Sequence, residues 1–315
     1  MSNPSRAVVV TGCSSGIGRA IAVHLARAGE FLVFATTRRS ADARGLERLN
    51  LAHLVPVPNT DLTRRDQIEA AVGTVRSTLL SKSCTGLHAI VNNAGGGVIA
   101  PLELLDMGFL ERELKTRIIG AATLVQRLLP EIRRAKGRLL WITTPGPIPL
   151  AYKSSVHVPE FAVHGLARTF RIELSPWKIP SILIACGGVR SHAVGRMDRQ
   201  LSETLQKLTE DQLALYGPAL RAVLERDQKI AESGIDAERV AEKVEQVLRS
   251  PTPKPLYKVG LSKALASMSS LPGSRVDDFF ISLIKSGTPI PEGRPGLIAG
   301  RAEPGPRRSA TRPLR

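Results

Sequence analysis

Apolar positions in the first 185 residues fall into short runs separated by longer amphipathic stretches. The runs lie at residues 7–11, 31–36, 54–57, 89–92, 138–143 and 181–185, and most are continuous, as expected for strands covered on both faces. Between them, Ile68, Ala71, Val72, Val75 and Leu79 recur at the spacing of one helical face. Leu110, Leu114, Ile118, Leu124, Val125 and Leu128 trace a longer helix that ends near Pro130 or a turn beyond it. Another helix is predicted over about 161–174, before Pro176. Strand alternating with helix predicts an α/β fold, a doubly wound parallel sheet with helices on both faces.

The alternation breaks down after Gly188. Residues 197–227 read as one or two helices, and Val240, Val244, Val247 and Leu248 mark another. A last strand is predicted at 255–259, then helices near 261–268 and 276–285. Residues 1–286 are therefore expected to form one domain, with 195–286 as a helical elaboration on the substrate side. Residues 287–315 hold six prolines, five glycines and six arginines without aliphatic periodicity. Such a composition cannot bury a core, which predicts a disordered basic tail.

The stretch Thr11-Gly12-Cys13-Ser14-Ser15-Gly16-Ile17-Gly18 joins the first strand to an amphipathic helix over 17–28. Gly12 permits a sharp exit from the strand, Gly16 leaves room for a pyrophosphate, and Gly18 lets helix and strand pack closely. The bare alternative is a tight turn. The spacing resembles the Thr-Gly-x-x-x-Gly-x-Gly signature of the short-chain dehydrogenase/reductase family. Asn92-Asn93-Ala94-Gly95, after the fourth strand, resembles the Asn-Asn-Ala-Gly signature of the same family. The likeness extends over roughly residues 7–191 and is greatest to the hydroxysteroid and retinol dehydrogenase branch.

That resemblance implies a Rossmann-like fold and a bound dinucleotide. The implied contacts are Gly12, Ser14, Ser15, Gly16, Ile17 and Gly18 at the phosphates, Asp61 and Leu62 at the adenine, and Asn93, Ala94 and Gly95 at the ribose. Cys186-Gly187-Gly188-Val189-Arg190-Ser191 resembles a Pro-Gly-x-Val-x-Thr segment, which implies Val189 and Ser191 at the carboxamide. Arg38 follows the second strand, where an acidic residue would bind the ribose 2′-hydroxyl of NAD. A guanidinium suits a 2′-phosphate, so NADP is favoured over NAD.

The family's chemistry rests on Ser, Tyr, Lys and a supporting Asn. Aligning Phe161-Ala162-Val163-His164-Gly165-Leu166 with the stretch after the family's Tyr-x-x-x-Lys places Val156 at the tyrosine and Glu160 at the lysine. The serine position falls on Thr144 or Thr143, and the asparagine position on Arg117. Valine carries no proton, and a glutamate raises a neighbouring acid's pKa rather than lowering it. Arg117 and Glu160 are expected to form an ion pair filling the old relay site; the alternative is that both are solvated. His157, with a reference pKa near 6.5, is the candidate relocated acid, alongside the Thr144 hydroxyl.

Three widely separated cysteines, Cys13, Cys84 and Cys186, have no metal-ligand spacing. No metal is expected, and a reducing, cytoplasmic setting is. No run approaches the roughly 18 apolar residues of a membrane span. The formal net charge is +16, yet aromatic residues make up only 4% and do not interleave with the arginines, which disfavours nucleic-acid binding. The expected partners are a small hydrophobic alcohol or carbonyl compound and, by default, further copies of the chain. Two rival functions stand beside an NADP-linked oxidoreductase: an inactive nucleotide-binding partner or sensor, and a biosynthetic enzyme using the fold for a non-redox step.

Overall fold

The computed structural model describes residues 6–145, 148–190, 192–261 and 273–287. Strands β1 (Arg6–Val10), β2 (Phe31–Thr36), β3 (Leu54–Val57), β4 (Leu87–Asn92), β5 (Arg138–Thr143) and β6 (Ser181–Cys186) lie parallel in one sheet. A short pair, β7 (Val189–Arg190) and β8 (Ile235–Asp236), stands apart, and β9 (Leu256–Val259) completes the main sheet beside β6. The spatial order is β3-β2-β1-β4-β5-β6-β9. Strand order therefore reverses between β1 and β4, and such a switch point opens a crevice at the carboxyl ends of the strands.

Both faces are covered. On one, Ile68, Val72, Val75 and Leu79 of α3 (Arg65–Ser81) pack with Leu124, Leu128 and Ile132 of α5 (Ala121–Arg134). On the other, Ile21 and Leu25 of α1 (Gly16–Arg27) meet Val240, Val244 and Val247 of α9 (Ala237–Arg249). Each fully buried side chain of this size contributes about 1.5–3 kcal/mol. His24 ties the same two helices, with Nδ1 2.5 Å from Glu238 and Nε2 2.8 Å from Glu245. Buried Arg138 donates to the carbonyls of Val247 (2.7 Å) and Ser250 (2.9 Å), satisfying groups that the end of α9 leaves without helical partners.

Three sequence expectations need correction. The predicted helix 161–174 begins earlier, as α6 (Ser154–Glu173), with Pro159 inside it. A proline removes one helical hydrogen bond; here Ser155 Oγ donates to Val98 O and accepts from Val98 N, both at 3.0 Å, holding the first turn in place. Pro130 lies inside α5, which ends a turn beyond it at Arg134, within the expected bounds. The long fourth-crossover helix is not uniform: α4 (Met107–Leu114) passes through a π-helical turn, Lys115–Gly120, into α5. Gly120 is required there, since a Cβ would stand 2.0 Å from the carbonyl oxygen of Leu62.

The third correction concerns the C-terminal part. Among the described residues, α7 (His192–Lys207) and α8 (Glu210–Glu232) form a separate helical layer around Ile99, Leu201, Leu220 and Val223. α9 and β9 belong to the sheet and its covering layer instead. A short α2 (Ser40–Glu47) went unpredicted because its apolar face holds only Ala43 and Leu46. A final helix, α10 (Gly273–Gly287), spans the predicted 276–285. The predicted helix at 261–268 falls almost wholly outside the described residues, and the tail beyond 287 does so entirely.

Candidate active site

The crevice has two halves. On the β1–β2–β3 side, Gly12 (φ +74°) and Gly16 (φ +60°) occupy the left-handed region that favours glycine. A Cβ on Gly18 would stand 2.3 Å from Gly12 O and 2.4 Å from Asn93 Nδ2, so close approach fixes that position too. Thr11 Oγ1 accepts hydrogen bonds from the backbone N–H groups of Asn93 (2.9 Å) and Ala94 (3.0 Å). Asn93 Nδ2 donates to Thr11 O at 3.0 Å. These bonds weld the glycine loop to the end of β4 across the switch point.

Helix α1 then starts with no side-chain cap and no acidic residue in its first turn. Its N–H groups and positive dipole end are open to an anion beside Ser14, Ser15, Gly16 and Ile17. Beyond β2 the two arginines differ. Arg39 is bound bidentately by Asp42, at 3.0 and 3.1 Å. Arg38 is exposed and has no partner among the described residues. Asp61 accepts from Thr63 N and Oγ1, both at 2.8 Å, which forms the turn after β3. Leu62 is buried beneath the π-helical turn. A glycine cradle without room for a Cβ and a helix start without a side-chain cap fit the phosphates of a nicotinamide dinucleotide.

The β4–β5–β6 side is ionic. Glu160, 3% exposed, pairs through Oε1 with Arg117 Nη1, and its Oε2 accepts from the backbone N–H of Thr144 at 3.0 Å. Arg117 Nε donates to Glu113 at 3.2 Å and Nη2 to Gly96 O at 2.7 Å. Glu113 in turn accepts from Gly96 N at 2.8 Å. The peptide of Gly96 is thus held on both sides, and the guanidinium lies so close over Gly95 that a Cβ there would stand 2.4 Å from Cζ. Placing Arg117 in the π-helical turn lets one side chain reach α6 and the loop after β4 together; such turns are frequent at functional sites. Burial, with the Glu113 charge adding to it, holds the Glu160 carboxyl above its ordinary pKa; the Arg117 charge and the Thr144 N–H offset this only in part.

Val156 takes no part in this network. Its Cγ2 packs on the backbone of Gly97, where a Cβ would come within 2.1 Å. Thr144 Oγ1 is buried without a hydrogen-bond partner among the described residues. His157 is buried and its Nδ1 is likewise unpartnered. Desolvation, then the charges of Lys153 and Arg117, lower its pKa to about 4, so the ring is neutral at pH 7. Lys153 Nζ reaches Asp227 of α8 at 2.5 Å, both side chains being largely buried. The Tyr152 ring meets Tyr216 edge-on, with centroids 6.3 Å apart, away from the Glu160 cluster.

Val189 lies on β7 against the α9 side of the core, while Ser191 is outside the described residues. Cys13 and Cys186 are buried, with desolvation the main force raising both thiols, Cys186 to about 12. Two residues of the ionic half escaped the sequence reading. Glu113 was detectable as the partner of Arg117 one helical turn away. Asp227 had no local signal, because Lys153 lies 74 residues distant.

Residues 6–202 match the family described as short chain dehydrogenase. The chain is 30% identical over 220 residues to estradiol 17-beta-dehydrogenase 2 of Mus musculus, covering 67% of this chain and 56% of that protein. It spans about half the length of the curated relatives it matches first. A short-chain dehydrogenase structure from Streptomyces avermitilis superposes with a TM-score of 0.68 at 20% identity, covering 90% of this chain and 97% of that one. A metagenomic short-chain oxidoreductase in complex with NADP gives 0.60 at 21% identity, covering 82% and 98%. Sheet order, glycine cradle and sequence match converge: the chain belongs to the short-chain dehydrogenase family, in the branch of its hydroxysteroid dehydrogenase relatives.

Proposed function

We propose that the protein is an NADP-linked, oxidoreductase-like member of the family that takes a hydrophobic alcohol or carbonyl ligand. The observation that carries the cofactor assignment is Arg38, exposed and unpaired beside the glycine cradle while Arg39 is held by Asp42. Gly12, Gly16 and Gly18 shape the cradle, and the start of α1 supplies donors to the phosphates. When bound, a nicotinamide ring supplies hydride exchange. The apolar layer of α7 and α8, with Tyr152 and Tyr216 on its margin, supports a hydrophobic ligand. The mouse relative, an estradiol dehydrogenase by name, supports the same ligand class. Exposed Ile119, Val158 and Phe161 support self-association, and the isolated cysteines support a cytoplasmic setting.

One observation favours the reading as a nucleotide-binding partner or sensor. The positions aligned with the family's relay hold Val156 and a buried ion pair, and no proton leaves a valine. A neutral His157 with a pKa of about 4 is a poor acid at pH 7. A titration of NADPH, NADP, NADH and NAD by fluorescence or calorimetry, with Arg38→Ala as control, tests the cofactor. Arg38→Ala is expected to weaken NADPH by at least about tenfold and leave NADH nearly unchanged. Absence of binding by any of the four overturns both nucleotide-linked readings. A carbonyl panel with bound NADPH then separates turnover from binding alone.

A further inference from the structure

We infer that the ionic cluster of Arg117, Glu113 and Glu160 makes the site select the oxidised form of its dinucleotide over the reduced form. The inference rests on the nucleotide-binding reading above and concerns the charge of the second half of the crevice. Glu160 and Glu113 are both largely buried, at 3% and 12% side-chain exposure, and share one guanidinium. The other ions beside them, Lys153 and Asp227, pair with each other. Arg226 also acts on Lys153, so the excess is local to the Arg117 cluster, where two carboxylates face one guanidinium. His157 and Cys186 add no charge, since burial keeps the imidazole and the thiol neutral at pH 7.

Position gives that excess its meaning. Glu160 is anchored to Thr144 at the end of β5, and Arg117 to the Gly95-Gly96 loop after β4. A dinucleotide lying across the β1/β4 switch point places its two halves on opposite sides of it. With the first half over Gly12–Gly18 and Arg38, the second falls over β4, β5 and β6. An oxidised nicotinamide ring carries one positive charge and the reduced ring none. A buried net negative charge stabilises the former selectively, because low-dielectric surroundings weaken its screening. The pairing also keeps the charges fixed: Arg117 makes three hydrogen bonds and Glu160 two, so neither swings away. A consequence is that the bound cofactor is harder to reduce than the free one.

The test is equilibrium binding of NADP and NADPH to the full-length protein and to Glu160→Gln and Glu113→Gln. Each glutamine keeps an acceptor for Arg117 and removes one negative charge. The wild type is expected to bind NADP more tightly than NADPH, and each variant to shift the ratio of dissociation constants toward NADPH by on the order of tenfold. If Glu160→Gln does not fold, Glu113→Gln carries the same test. Equal ratios in wild type and variants, with both ligands bound, overturn the charge selection and leave the cofactor assignment standing. Failure of the wild type to bind either ligand overturns the cofactor assignment itself.

Discussion

The two halves of the crevice solve the same problem of holding polar groups by opposite means. Around Thr11, Gly12 and Asn93 the atoms are neutral, and backbone groups meet the Thr11 hydroxyl or the Asn93 amide at 2.9–3.0 Å. Around Arg117 the contacts are between full charges, largely out of water. A neutral, hydrogen-bonded loop loses only modest net energy per bond, but its geometry tolerates no added atom. An ionic cluster tolerates changes of shape, yet removal of one partner leaves a buried charge uncompensated. Substitutions should therefore fail by sterics on one side and by electrostatics on the other.

The largest effect is expected at Gly18→Ala. The new Cβ would overlap Gly12 O and Asn93 Nδ2, so loop and strand must separate. Dinucleotide binding should disappear in a titration, and the melting temperature should fall. Retained binding would show that the neutral half is more pliable than its contacts indicate. Next comes Arg117→Ala, which strands Glu160 and should cost about 3–5 kcal/mol in a denaturant melt. The double variant Arg117→Ala with Glu160→Gln should recover part of that loss; equal costs would remove the ion pair as an energetic unit.

The smallest and sharpest test is pH. His157 has its folded pKa lowered to about 4, below the unfolded value near 6.5. The unfolded chain then binds the extra proton, so stability falls as pH drops from about 6.5 to 4, by at most about 3 kcal/mol. His24, on the opposite face of the sheet, has the reverse sign. Burial lowers its pKa, but hydrogen bonds to Glu245 and Glu238 outweigh this and raise it. Its contribution is full below the unfolded value and is lost as pH rises through the folded one. His157→Gln should flatten the limb below the unfolded histidine pKa, and His24→Gln the limb that begins above it. A limb unchanged by its own substitution would detach that histidine from the pH response.

Much of this was legible in the residues. The continuous apolar runs placed six strands, because strands covered on both faces leave no room for alternation. The Arg117–Glu160 pair followed from two opposite charges at positions that the sequence alignment expects to face each other, and the structure buries them together. The start of α6 was not legible. Pro159 reads as a helix breaker, and what offsets it is the long-range bond of Ser155 to Val98. The π-helical turn escaped for a related reason. It depends on Gly120 meeting Leu62, 58 positions apart in the sequence, with no periodic signal between them. The allocation of α9 to the α1 layer likewise rests on tertiary contacts such as His24 with Glu238.

The contact between Val156 and Gly97 restricts the order in which this site can change. A tyrosine at 156 needs space that the Gly97 backbone now borders, so the loop after β4 must move first. A lysine at 160 would meet Arg117 head-on, two cations where one pair now sits. Restoring the family's Tyr-x-x-x-Lys therefore asks for more than changes at its own two positions. Arg117 and Glu160 must change together, because a neutral residue at 117 alone strands the buried carboxylate and a lysine at 160 alone meets a second cation.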